Sequence, residues 1–418
     1  MLNNLRTEDS GLQKENHLTN VSLLDNVQFI YELVLAQLEL SSFNLTFELK
    51  DTLKDFIIEN NSDLTIPLKR LAYFKQIDSS YTDYYHLLNY NQTKSVNQYL
   101  THWFYPYKGK FHPQMVRSIF NIMKINSNET VLDPFIGSGT TALESQLLGI
   151  NSIGFDLSPL CILQSNVKIN SIGSLSQIKS LREQAIDSFN LSMSSNNIME
   201  GLTSSYSSFL ESIDDVNTMN FFKLAQLLAI SEKVRRNRKF LPSFVKNLDK
   251  MISSLNDYVH AIDALDLNLG KPDVRKADAR KLPLVDSSID GIVTSPPYSI
   301  ALDYVSNDSH SLKALGHDLD DLRNLLIGVR GKGAQKISAY NEDMIKCFSE
   351  MYRVLRQGKY CAIVIGDATY QNSKINTIDF TINECEKLGF TLVQNLNKTI
   401  FGLYNVMQTD NTLIFLKE

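Results

Sequence analysis

Short apolar runs that close on a polar residue punctuate the chain, and segments of helical character separate them. In ETVLDPFIGSGTT, residues 129–141, an extended apolar run ends at Asp133 and gives way to a loop holding Gly137 and Gly139 that opens a helix. SIGFDLSP carries a second run into Asp156, KADARKLP presents Asp278 and Ala279, and IDGIVTSPPY carries a further run into Ser295, Pro296, Pro297 and Tyr298. Strand-length runs alternating with helices predict an α/β fold whose strand ends share one edge of a doubly wound sheet. Ligands of open α/β sheets bind at that edge. Farther on, NEDMIKCFSEMYRVLRQG reads as a helix with basic residues near its end and Gly358 as its stop. KYCAIVIGDA reads as a buried strand and INTIDFTINECEKLGF as its following helix, while TLVQNLNKTI and NTLIFLKE predict a terminal strand pair with an antiparallel edge.

Other stretches do not follow this alternation. Residues 1 to about 20 are polar, and 21–59 carry apolar periodicity of one or two amphipathic helices, so residues 1–100 are expected to form a helical, aromatic amino-terminal region. Residues 73–107 hold Tyr73, Tyr81, Tyr84, Tyr85, Tyr90, Tyr99, Tyr105 and Tyr107 with the sole tryptophan, Trp103. Such rings suit base stacking or packing against the next module. YKGKFHPQMVRSIFNIMK, residues 107–124, combines a polar turn with a Pro-initiated helix. Residues 171–270 are too much chain for an ordinary connection and read as a helix-rich insertion between two parts of the sheet domain, 101–170 and 271–418. Residues 299–340 are polar and contain GVRGKGAQK, a basic glycine-containing loop. No internal repeat suggests a solenoid.

The chain of 418 residues, 43% hydrophobic, is long enough for a large sheet core plus a second module. It shows no basic-then-apolar leader and no long uncharged apolar run, which predicts a cytoplasmic protein with no membrane partner. Its four cysteines, at 161, 347, 361 and 385, form neither CxxC nor a zinc-ligand cluster, so reduced thiols and no metal are expected. A formal charge of -5 argues against a globally basic nucleic-acid coat, yet KVRRNRK at 233–239 and the stretches 271–281 and 323–336 are locally basic. Taken alone, each is equally a solvated face.

A glycine turn closes many strand-to-helix units and is weak evidence by itself. Here Asp156 follows it at the next strand end, suitably placed to accept two hydrogen bonds from a ribose diol, and TSPPY follows at a later one. In this combination the sequence resembles the amino-group DNA methyltransferases, which use S-adenosylmethionine to methylate an exocyclic amine of cytosine or adenine. DPFIGSGTT is similar to their glycine-rich cofactor loop, GFDLSP to their ribose-binding segment, and TSPPY to their catalytic loop in its cytosine-N4 form. The resemblance spans roughly 100 to 165 and 274 to 418.

It implies a seven-stranded, mostly parallel doubly wound methyltransferase sheet with an antiparallel edge strand, S-adenosyl-L-methionine as cofactor and double-stranded DNA as partner, at the chromosome. It also admits a cognate restriction endonuclease as a separate chain. Cofactor contacts fall on Lys110, Phe111, His112, Asp133, Phe135, Gly137, Gly139, Thr140, Asp156, Asp278 and Ala279. Residues 110–112 would line the methionine end, although Lys110 and His112 equally suit solvent. Asp133 would orient the glycine loop or the methionine amine. Asp156 would hold the ribose, Asp278 the adenine amine, and Ala279 would leave room for the ring. Arg235, Arg236, Arg238, Arg330 and Lys332 are the expected DNA contacts, with a helical cap as the alternative role of the insertion.

The resemblance also gives Ser295, Pro296, Pro297 and Tyr298 a chemical task. An exocyclic amine is a poor nucleophile because its lone pair is delocalised into the ring. The Ser295 side chain and a carbonyl of the Ser295–Pro297 turn can accept both amine hydrogens and aim the lone pair at a methyl group, while Tyr298 stacks on the flipped base. Cytosine N4 is the expected target and adenine N6 the alternative. A carbon-5 mechanism needs a cysteine, and none lies in 294–298. A nicotinamide dehydrogenase would leave TSPPY unexplained and lacks the G-x-G-x-x-G spacing. RNA or protein-glutamine methylation, or a non-catalytic DNA-binding module, would use related loops. Neither the recognised DNA sequence nor the oligomeric state is legible, and 171–270, 299–340 and the amino-terminal region are all candidates for target recognition.

Overall fold

The computed structural model describes residues 17–60, 63–193, 205–298, 303–331, 334–370, 373–401 and 407–418. The amino-terminal region is built on a five-stranded antiparallel sheet of strands β1 (His17–Leu23), β2 (Thr46–Leu49), β3 (Asp55–Asn60), β4 (Phe74–Ile77) and β5 (Ser80–Tyr81), in the order β2-β3-β1-β4-β5. This corrects the expectation of a helical amino-terminal region: between 21 and 59 a single helix, Ile30–Ser42, packs beside strands. The reason lies in β1, which buries Thr19, Val21 and Leu23 while Leu18 stays 63% exposed. A buried threonine and an exposed leucine disguise a period of two.

The larger sheet comprises β6 (Thr130–Asp133), β7 (Asn151–Asp156), β8 (Pro272–Lys276), β9 (Ile289–Thr294), β10 (Leu355–Gly366), β13 (Phe390–Phe401) and β14 (Met407–Lys417), with a small hairpin of β11 (Ala368–Tyr370) and β12 (Ser373–Ile375) after β10. Its order is β13-β14-β10-β9-β6-β7-β8. Strands β10, β9, β6, β7 and β8 run parallel, and β14 runs against both its neighbours at the β13 edge. This is the seven-stranded, mostly parallel methyltransferase sheet that the sequence predicts. The strand order reverses between β6 and β9, where a crevice opens beyond the strand ends.

One local expectation needs correction. The helix foreseen to stop at Gly358 runs from Ala334 to Val354, because Leu355 already pairs with Ile289 in the sheet. Gly358 instead takes φ +74° inside β10, where the register shifts between Leu355 and Tyr360. The polar stretch 299–340 is partly helical among its described residues. Its described part holds the short helices Tyr304–Asn307, Ser309–Ala314 and Leu319–Leu325, the first capped by Asp303 and the third by Asp318.

The described part of the insertion is mainly helical, with long helices at Val216–Arg236 and Phe240–Leu265. It shares a core with the sheet domain: Phe104, Leu160 and Val167 cluster with Phe221, Leu224 and Phe244. The tyrosine-rich segment serves this packing. Tyr73, Tyr84, Tyr99 and Tyr105 are essentially inaccessible, and Trp103 donates its indole N–H to Ser254 Oγ at 2.8 Å.

Buried charge joins these parts. Glu144, fully buried in the helix Thr140–Leu147, accepts hydrogen bonds from the Tyr99 hydroxyl, His102 Nε2 at 2.8 Å and Arg117 Nε at 3.0 Å. Burial alone would raise its pKa, yet the Arg117 guanidinium and these donors hold it below the usual carboxylate value. Removing one partner of a buried pair leaves the other uncompensated. Arg117→Met is therefore expected to destabilise the fold by about 3–5 kcal/mol in chemical denaturation; an unfolding midpoint equal to that of the wild type would remove Arg117 from this role.

Candidate active site

A cavity of about 920 Å³ lies at the carboxyl ends of the parallel strands. Of the residues singled out in the sequence, Lys110, Phe111, His112, Asp133, Phe135, Gly137, Thr140, Asp156, Ala279, Ser295, Pro297 and Tyr298 line it. The glycine loop and the SPPY turn thus face one space. Gly139, Asp278 and Pro296 are not among the lining residues.

The loop conformation requires its glycines. Gly137 and Gly139 take φ of +48° and +78°, and a Cβ on Gly139 would lie 2.7 Å from Ser165 Oγ. Asp133 fixes the loop from below: one carboxylate oxygen accepts from Thr294 Oγ1 at 2.7 Å and Phe135 N at 3.1 Å, the other from Thr141 Oγ1 at 2.7 Å. Burial raises its pKa to about 6 despite these donors. Asp156 accepts from Gly137 N at 3.1 Å with one oxygen and from Ser158 N at 2.8 Å with the other. Burial raises its pKa, with the two backbone donors opposing. The Cys161 thiol and the Leu157 backbone also donate toward this carboxylate, which lines the cavity.

The wall opposite is made by small residues, Ala277 and Ala279. The expected contact of Asp278 with an adenine amine is not what this geometry offers. Its carboxylate is held by Arg280, Nη2 to Oδ2 at 2.7 Å and Nε to Oδ1 at 2.9 Å, which turns it out of the lining. Lys110 lines the cavity, but its ammonium is fastened to the carbonyls of His102 at 2.7 Å and Asn97 at 3.3 Å. His112 is exposed, with Nδ1 3.0 Å from Asn97 Nδ2. At the other end, Ser295 Oγ donates to Val364 O at 3.0 Å, and the Pro297 carbonyl accepts from the Tyr340 hydroxyl at 2.8 Å. The Tyr298 hydroxyl faces Ser295 and Asp410.

The basic residues divide. Arg235 reaches inward, with Nη2 2.7 Å from Asp308 Oδ1 and 2.9 Å from Asn307 O and Nη1 3.0 Å from Pro106 O, tying the insertion to a cavity wall. Arg238 pairs with Glu232 at 2.6 Å and Arg330 with Asp343 at 2.5 Å. Arg236 is exposed, and Lys332 lies outside the described residues.

Sequence reasoning did not mark Tyr107, Tyr304, Asp308, Asp367, Lys398 or Asp410 as cavity residues, yet all line it. For Asp367 a signal existed, since it ends the apolar run of β10 as Asp133 and Asp156 end theirs. The others meet here only through folding. Aspartates at 133, 156, 308, 367 and 410 outnumber lysines at 108, 110 and 398 around the space, which favours a cationic ligand. All four cysteines are buried, and among the described residues no cluster of His, Cys, Asp or Glu is arranged to hold a metal ion. No described helix is long and apolar enough to cross a membrane.

Residues 50–166, which carry the glycine loop and Asp156, match the DNA methylase family model N6_N4_Mtase. This segment is what the chain shares with the DNA methylases. The type II methyltransferase M.MjaII of Methanocaldococcus jannaschii is 40% identical over 89 residues, 21% of this chain and 16% of that protein. M.BsoBI of Geobacillus stearothermophilus, also a type II methyltransferase, is 40% identical over 74 residues, 18% of this chain and 14% of its own length. The matches thus span less than a fifth of either relative. Among solved structures, a SAM-dependent methyltransferase of Methanosarcina mazei aligns over 70% of this chain and 95% of its own, at 12% identity and a TM-score of 0.32.

Beneath the glycine loop, the fully buried Lys168 donates to Ser138 O at 2.6 Å. Burial lowers its pKa to about 7 from 10.5. Between those values the unfolded chain binds more protons, so this lysine makes stability rise with pH from about 7 toward 10.5 and fall as pH returns. Lys168→Met should flatten that rise in melting temperature, measured by calorimetry; an unchanged slope would mean that Lys168 stays charged in the fold.

Proposed function

We propose that this chain transfers the methyl group of S-adenosylmethionine to an exocyclic amine of a base flipped out of double-stranded DNA, with cytosine N4 as target. The observation that carries this reading is that the glycine loop, Asp156 and the SPPY turn face one cavity at the reversal of strand order. Its volume, about 920 Å³, is near the top of the range for ligand sites, about 300–1,000 Å³, which suits a cofactor with a base beside it.

The residues present fit that cofactor. Asp156 would accept from the ribose hydroxyls, Gly137 would let backbone approach closely, and Ala277 and Ala279 leave space for the adenine ring. The excess of aspartates suits a sulfonium cation. S-adenosylmethionine supplies a methyl group already electrophilic, so the protein's task is to position the amine. Ser295 Oγ can accept one amine hydrogen while donating to Val364 O. A carbonyl of the SPPY turn takes the second; that of Pro297 is already engaged by Tyr340. Tyr298 offers its ring face for stacking. Exclusion of water and fixed acceptors then stabilise developing charge on nitrogen. The SPPY form of the turn favours cytosine over adenine through the resemblance alone, since both bases present the same amine geometry. Arg236 remains the solvent-facing arginine of the basic run for phosphate contact, with Arg235 and Arg238 committed within the protein.

Two measurements test this reading. Asp156→Ala should lose about 1.5–3 kcal/mol of cofactor binding in calorimetry, and unchanged affinity in a folded variant would reject the ribose assignment. With isotope-labelled cofactor and mixed-sequence duplex DNA, nucleoside mass spectrometry should find label in N4-methyldeoxycytidine. Label confined to N6-methyldeoxyadenosine would move the target to adenine, and Ser295→Ala and Tyr298→Ala should reduce turnover more than cofactor affinity.

A further inference from the structure

The edge strands put a cation in the wall of this cavity. Lys398 on β13 and Asp410 on β14 are cross-strand partners, and both side chains line the space that Ser295 and Tyr298 line. Lys398 is only 7% exposed. Its ammonium sits 5.6 Å from the centroid of the Tyr31 ring, and no hydrogen-bond or ion-pair acceptor among the described residues takes it. The ammonium is not one of the buried polar atoms that lack a partner, so it opens onto the cavity. There it can donate to a ligand acceptor.

We infer that Lys398 reads the ring edge of the flipped base, donating to the N3 and O2 acceptors beside the cytosine amine, with Asp410 holding the ammonium in its charged form. This rests on the amino-methylase reading of the cavity. Tyr298, the stacking residue of that reading, faces Ser295 on one side and Asp410 on the other, so the wall runs from the amine acceptor to the lysine. Cytosine carries two acceptors next to its amine, whereas adenine carries N1 and then a C–H. An ammonium has three donors and can meet both cytosine acceptors. A site built to hydrogen-bond a substrate discriminates strongly against an analogue lacking the partner. The methionine carboxylate of the cofactor is a poorer match, because an anion brought to Lys398 also approaches the carboxylate of Asp410.

The groups facing Lys398 are Asp410 from β14, Tyr31 and Glu32 from the helix Ile30–Ser42, and His112 ahead of the helix Pro113–Ile122. Burial lowers the lysine pKa, and Asp410 and Glu32 work against that loss. Burial likewise raises the Asp410 pKa, with Lys398 opposing.

The test uses the full chain with labelled S-adenosylmethionine and mixed-sequence duplex DNA. Lys398→Met should lower cytosine turnover about 10- to 100-fold while cofactor affinity stays within about twofold, the span of ordinary context effects on a contact not made. Lys398→Arg, which keeps the charge at any accessible pH, should retain part of the turnover and extend activity to higher pH than the wild type. Unchanged turnover in Lys398→Met together with an unshifted pH limit in Lys398→Arg overturns the inference alone. A matching loss of cofactor affinity overturns it by assigning the ammonium to the methionine carboxylate. A wild type that binds cofactor and methylates only adenine, or no DNA amine, refutes the proposed target or function and this inference with it.

Discussion

The buried carboxylate of Asp133 sits where the sheet changes direction, and the geometry around it depends on its three donors. Thr294 reaches it from the end of β9, Thr141 from the first turn of the following helix, and Phe135 N from the loop between. Each donor belongs to a different piece of the site. One side chain therefore fixes the spacing of β6 and β9 at their ends, the start of the helix and the loop path past Gly137. Because the glycines have φ values that other residues adopt only under strain, the loop has few alternatives once those ends are tied. The SPPY turn begins one residue after Thr294, so the same carboxylate relates the two loops to each other.

Support below the loop is polar rather than apolar. Lys168 caps the Ser138 carbonyl, and Glu144 gathers Tyr99, His102 and Arg117 from the preceding segment. Buried polar groups of this kind are costly when incomplete and restrictive when satisfied. The arrangement binds the tyrosine-rich segment and the helix Pro113–Ile122 to the glycine loop. Glu39 extends it to the amino-terminal sheet through Ala72 N at 3.0 Å and Asn121 Nδ2 at 2.7 Å, with burial raising its pKa to about 7. The amino-terminal module is thereby joined to the cavity side, and Lys398 stands over the Tyr31 ring at the cavity wall.

The insertion has a similar double attachment. Its apolar faces share a core with Phe104 and Leu160, and Arg235 bridges to Asp308 and the Pro106 carbonyl. A guanidinium with three internal acceptors is a clamp between elements, and the desolvation of Asp308, 4% exposed on its side chain, makes that clamp harder to exchange for a phosphate. Charge density in a sequence thus marks where arginines are, while partner geometry decides which of them face outward.

The sequence by itself determined the alternating strands and helices of the large sheet, the glycine loop, and the acids and SPPY turn at its strand ends. These are local signals: strand length, a turn that needs glycine, an apolar run closing on a carboxylate. The amino-terminal sheet was hidden because β1 buries a threonine and exposes a leucine, and Gly358 read as a helix stop although β10 had already begun. Which aspartate faces the cavity was decided by tertiary contacts, since Arg280 turns Asp278 aside while Asp156 lines the space. Lys398 and Asp410 lie on successive strands and far in sequence from Ser295. Only pairing of β13 with β14 and of β14 with β10 brings them to one wall, because burial and neighbourhood belong to the folded arrangement and not to any single stretch of chain.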